Sequence, residues 1–207
     1  MKTSFFYRIA ARVAVACSAL IVVVGCLYAC FLGVIRTNNQ QTVYFIVERA
    51  ENVELSQSVA VLQGGAGYVF PTGEVALGVY FSFDTAQEVL QRVQSVRDSA
   101  YIMPINCSAE SNDAAFWEAL RCVEKIVNQL QHGLTQKQAA HILKELGDWF
   151  SYYGKEAKGQ AEEAANYLGE ELLKVSKQVI YVNELRYALC KSVASCAVNG
   201  EKIFLEG

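Results

Sequence analysis

The sequence predicts an α+β protein: an N-terminal transmembrane helix, a βαββαβ unit forming a four-stranded sheet with its helices on one face, then a C-terminal antiparallel helical segment. Three observations predict this. Residues 13–35 form a run of 23 without a charge, short β-branched and aromatic stretches recur between residues 43 and 105, and beyond Cys107 the apolar residues fall at helical spacing. The 207 residues are 53% hydrophobic and 19% charged with only 2 Pro, which excludes a disordered or collagen-like chain.

The apolar run is bracketed by Arg12 and Arg36, and as a helix its length matches the roughly 30 Å hydrocarbon core of a bilayer. Lys2, Arg8 and Arg12 precede it, whereas Arg36 and Arg49 are the cations that come soonest after it. That bias puts residues 1–12 in the cytoplasm and everything after the anchor outside the cell membrane. Val23-Val24-Gly25-Cys26 loosely resembles the box before a lipidated cysteine, and a cleaved signal peptide is the other alternative. A secretory apolar region usually stops at 7 to 15 residues, so an uncleaved single-pass anchor fits better. Residues 36–41 make a polar linker, too short to carry the folded part far from the bilayer.

Residues 42–207 carry 14 cations against 21 acids, a balance of -7, and such a surface repels phosphate backbones, which argues against nucleic acid as a partner. Of the seven cysteines, Cys17, Cys26 and Cys30 lie in the apolar run. Cys107, Cys122, Cys190 and Cys196 lie beyond it, as buried thiols or, in an oxidising compartment, as disulfides. The spacing of Cys190 and Cys196 fits no metal knuckle. No cofactor or metal is implied.

In the 42–107 domain, residues 43–47 read as a strand and residues 55–63 as a short helix with Val59 and Leu62 on one face. Gly64-Gly65-Ala66-Gly67 caps that helix and turns the chain back. A strand at 68–70, a turn at Pro71-Thr72-Gly73 and a third strand at 75–81 come next, the last with Val75, Leu77, Val79 and Phe81 toward the helices. Asp84 or Thr85 caps a helix running to Arg97 with the stripe Ala86, Val89, Leu90 and Val93. Residues 101–105 complete the unit.

In the helical region 108–207, Phe116, Leu120, Val123, Val127 and Leu130 form an amphipathic seam. Thr135-Gln136-Lys137-Gln138 is a capping box opening a helix with Ile142, Leu146, Trp149 and Tyr153, directed toward Gly154. Residues 160–198 then hold a nearly heptad seam from Ala161 and Leu168 through Val179 to Leu189 and Val193, interrupted by Arg186. Three helices of this kind predict an antiparallel bundle or a partner-binding, self-associating coil through 160–198.

No catalytic constellation emerges, and the sequence reads as a non-enzyme. The glycine cluster comes after a helix and before a strand, the reverse of a dinucleotide loop. His132 and His141 stand nine residues apart with no nucleophile arranged against them. Glu162-Glu163 and Glu170-Glu171 lie among lysines on a solvated face. The chemistry left is aromatic: Tyr44, Tyr68, Tyr80 and Tyr101, with Ile46, Phe70 and Met103, are expected on the sheet face opposite the helices, where rings suit sugars. The alternative for that face is cover by the C-terminal helices.

Residues 42–106 resemble a SPOR domain, the sporulation-related repeat of bacterial cell-envelope proteins. The likeness lies in the βαββαβ order, in Gly64-Gly65-Ala66-Gly67-Tyr68-Val69, and in Leu77-Gly78-Val79-Tyr80 followed by Asp84-Thr85-Ala86-Gln87. Phe45-Ile46-Val47-Glu48-Arg49 stands where the family has Q-x-G-x-F. The resemblance implies an anchored envelope protein that binds peptidoglycan glycan strands during division or sporulation, with Tyr44, Tyr68, Tyr80 and Tyr101 as stacking rings. The alternative is a non-enzymatic assembly scaffold acting through its C-terminal helices.

Overall fold

The computed structural model describes residues 40–108, 114–130 and 133–197. The anchor at 13–35, the tail at 1–12 and residues 36–39 lie outside the described residues. No described helix is long and apolar enough to cross a membrane.

The elements run β1 (Gln40–Arg49), α1 (Val53–Leu62), β2 (Tyr68–Val69), β3 (Glu74–Tyr80), α2 (Phe83–Gln94) and β4 (Ala100–Ser108), then α3 (Ala114–Leu130), α4 (Gln136–Glu156), α5 (Gly159–Val175) and α6 (Val182–Ser195). The protein is thus α+β, with one antiparallel four-stranded sheet in the order β2-β3-β1-β4 and six described helices. β1 begins two residues inside the expected linker, pairing Gln41 with Cys107. Pro104 sits opposite Tyr44 in β4, an edge strand, the place in a sheet where proline's missing N–H is tolerated.

Alternation along β1 sends its side chains to two cores. Ile46, with Val75, Leu77 and Ala100, packs against Ala60 of α1 and Ala86 of α2. Val43, Phe45 and Val47, with Ile105 and Cys107, share the larger core with α3 to α6. The helical region therefore covers the second face of the sheet. At the far edge Ser108 N–H donates to the Cys196 carbonyl at 2.9 Å, and Cys107 bridges to Ala197, tying the end of α6 to β4.

Four local expectations are corrected. The register slips between Ile46 and Val47, which pair with Gly78 and Ala76, so Leu77 is an extra residue. This one-residue bulge inverts the later alternation: Val75 and Leu77 face α1 and α2, but Val79 joins the other core and Tyr80 takes its place. In α1 the small residues Ser56 and Ala60 approach the sheet while Leu55 and Leu62 stand 62% and 85% exposed. α2 begins one residue before Asp84, with Ser82 at its N-cap.

The fourth correction is that the seam 160–198 is two helices. α5 ends at Val175, and the chain turns through residues 176–181 so that α6 folds back along α5. Gln136 clamps the turn, accepting from Ile180 N–H at 2.9 Å and donating to its carbonyl at 3.1 Å. Val179 is left 61% exposed. The capping box of α4 is formed as the sequence predicts, and the seam Phe116, Leu120, Val123 and Val127 is buried.

Candidate functional site

α1 packs on β2 and β3, whereas α2 packs on β1, β3 and β4. Between the two helices lies a trough of about 650 Å³, within the size range of small-molecule sites. Its floor is Ile46, Leu77 and Tyr80, its α2 wall includes Val89 and Val93, and Arg92, Arg97 and Arg186 reach into its lining. No carboxylate lines it among the described residues.

The bulge makes this floor. By returning Tyr80 to the α1/α2 side it places the ring directly opposite Tyr44 across the β1–β3 ladder. Tyr80 is 4% exposed, and burial pushes its phenol pKa up. A smaller void lined by Gly78, Tyr80, Glu124, Asn128 and Arg186 adjoins the trough. Burial raises the Glu124 carboxyl to about 7 despite the Phe81 backbone hydrogen bond and the charges of Lys125 and Arg121.

The α1 wall is set by a polar cluster. Glu48 sits at an inward position of β1, 7% exposed. Its carboxylate accepts from the Ser56 hydroxyl and pairs with Nη1 of Arg97. Arg97 Nε donates to Gln63 Oε1 at 2.8 Å. Its Nη2 is buried without a partner, an arrangement that costs desolvation energy with no hydrogen bond in return. At the other end Arg186 of α6 donates to the Gly64 carbonyl. Gly64 and Gly67 both have positive φ, which lets the loop close over the end of α1.

The four tyrosines expected on one open face divide between two. Tyr44 and Tyr80 lie on the α1/α2 side, where Tyr44 meets Phe83 edge-on at 5.4 Å. Tyr68 packs into the other core against Phe70 and Tyr187. Tyr101 pairs with Val47 and is 39% exposed at the strand end, its hydroxyl 3.5 Å from Glu74. Phe70 is buried and Met103 partly so, both against the helices. The structure therefore brings Tyr44 and Tyr80 together and separates Tyr68 and Tyr101 from them.

Cys107, Cys122, Cys190 and Cys196 are all buried, and none of the four is in a disulfide. Burial pushes Cys107 and Cys190 well above the usual thiol range and Cys196 up to about 12. Thiols held protonated in this way are poor nucleophiles.

Sequence reasoning missed Arg92, Arg97, Gln63 and Glu48. Two signals pointed there: Glu48 succeeds Tyr44 and Ile46 at the inward period of β1, and Arg186 breaks an otherwise apolar seam. No family model, curated protein or solved structure matches the chain.

Proposed function

We propose that the chain is a non-enzymatic binding protein, anchored in the cell membrane by residues 13–35 with residues 40–197 outside the cytoplasm, and that its ligand is a small molecule taken into the trough between α1 and α2. The observation that carries this reading is the trough itself: an apolar floor with Arg92, Arg97 and Arg186 in one lining. Apolar cavities with a few convergent polar groups are the usual form of small-molecule sites.

Two expectations drawn from the sequence have less support. Peptidoglycan strands stacking on Tyr44, Tyr68, Tyr80 and Tyr101 would need all four rings on one open sheet face, whereas Tyr44 and Tyr80 lie on the α1/α2 side and α3 to α6 pack on the other. A scaffold role through 160–198 would need a free seam, and Leu168, Leu172, Leu185 and Leu189 are at most 2% exposed within the core. Binding in the trough requires neither helix nor sheet to unpack.

The test is thermal unfolding of the full chain in nanodiscs against a panel of an alkyl alcohol, an alkyl anion, an alkyl ammonium and a wall-derived oligosaccharide. Thr85→Trp, which fills the trough from the first turn of α2, is run beside it. One alkyl class is expected to raise the midpoint of the wild type but not of the variant. A shift with the oligosaccharide alone, or no shift at all, overturns the proposal.

A further inference from the structure

The geometry points to an amphipathic organic anion as the ligand of the trough: a carboxylate or phosphate monoester head seated on Arg97, with an alkyl body along the floor. This inference rests on the trough being the ligand site.

The head group is dictated by the state of one guanidinium. Nε and Nη2 of arginine form its side-on fork, two parallel donors matched to two oxygens of a carboxylate or phosphate. In Arg97 the rear nitrogen, Nη1, is committed to Glu48. The fork meets a single amide oxygen, Gln63 Oε1 on Nε, while Nη2 stays unpartnered although the side chain is only 10% exposed. Gln63 itself is exposed, so it can swing out. A two-oxygen anion in its place would satisfy both donors, and a neutral amide or hydroxyl would not.

The surrounding charges favour the same class. Glu48 neutralises Arg97 from behind the wall, and the lining holds two further cations, Arg92 and Arg186. Arg92 is held by Nε on the Glu88 carbonyl at 3.3 Å, a neutral acceptor that leaves its charge for the ligand. This cationic lining sits in a region whose overall balance is negative, so it is local to the trough.

The body of the ligand is dictated by the rest of the lining. Ile46, Leu77, Val89 and Val93 are aliphatic, and Tyr80 is the one aromatic ring in the lining among the described residues. Branched aliphatic walls suit an alkyl chain better than a stacked base. Leu62 and Val96, neighbours of Gln63 and Arg97, stand 85% and 74% exposed. Val96 also lines the trough.

The experiment is isothermal titration of the full chain in nanodiscs, with empty discs as reference, using octanoate, octyl phosphate, octanol and inorganic phosphate. Octanoate or octyl phosphate is expected to bind at least tenfold more tightly than octanol, and the tighter of the two tells whether the source is a fatty-acid or a phosphate-ester molecule. Inorganic phosphate binding as well as octyl phosphate would overturn the amphipathic assignment. Octanol binding as well as the anions, and being blocked by Thr85→Trp, would overturn the anion while leaving the trough as the site. No binding by any alkyl probe would remove both.

Two variants address the fork without removing the partner of Glu48. Gln63→Glu supplies a resident carboxylate to Nε and Nη2; it is expected to raise the thermal midpoint and lower anion affinity at least tenfold with octanol unaffected. Arg97→Lys keeps a cation beside Glu48 but has no fork, and is expected to lower anion affinity similarly. Unchanged anion binding in both would overturn the assignment to Arg97.

Discussion

Tyr80 lies back over Gly78: a Cβ at position 78 would stand 3.0 Å from the Tyr80 hydroxyl oxygen and 3.3 Å from Cε2. The bulge puts both residues on the α1/α2 side, and the missing side chain of Gly78 gives the ring the space that keeps it on the floor of the trough. Gly78→Ala should therefore push the ring by a few tenths of an ångström into the cavity. We expect a stability loss of about 1–2 kcal/mol and a fall in octyl phosphate affinity, checked by denaturant melts and titration on the same samples.

Glu124 should make stability depend on pH. Burial lifts its carboxyl from 4.5 to about 7 in the fold, so between these values the folded chain holds a proton that the unfolded chain has released. The folded state is favoured by that proton, and stability falls as pH rises from about 4.5 to 7, by at most about 3 kcal/mol. Above pH 7 the loss is complete. Glu124→Gln should flatten this part of the profile and be more stable than the wild type at pH 8, as read by urea melts across pH 4 to 8.

Gly169 should resist a substitution that usually helps a helix. Gly to Ala in a helix interior gains up to about 1 kcal/mol by propensity. On α5, however, a Cβ at 169 would meet Ser151 Oγ at 2.8 Å, Ser151 N at 3.0 Å and the Gly147 carbonyl at 3.2 Å. Two of these are backbone atoms of α4, so the helices must separate. Gly169→Ala is expected to lower stability by about 1–3 kcal/mol in the same urea assay.

These residues mark where the sequence was legible and where it was not. The βαββαβ order, the glycine cap after α1, the Thr135 capping box and the α3 seam come from local rules, because each depends on residues a few positions apart. The face of Tyr80 depends on a register slip between β1 and β3, which no alternation rule within one strand contains. The break between α5 and α6 depends on Gln136, 44 residues from the Ile180 it clamps. The candidate site was hidden for a similar reason: Glu48, Gln63, Arg97 and Arg186 come from β1, the end of α1, the turn after α2 and α6, and only the packing of α1 and α2 on the sheet assembles them.

Whether ligand enters between α1 and α2 is decided by hydrogen–deuterium exchange of the full chain with and without saturating octyl phosphate. Slower exchange is expected in residues 60–67 and 85–97, with α4 and α5 unchanged. Protection confined to α3–α6, or none at saturating ligand, would rule out a ligand site between these helices.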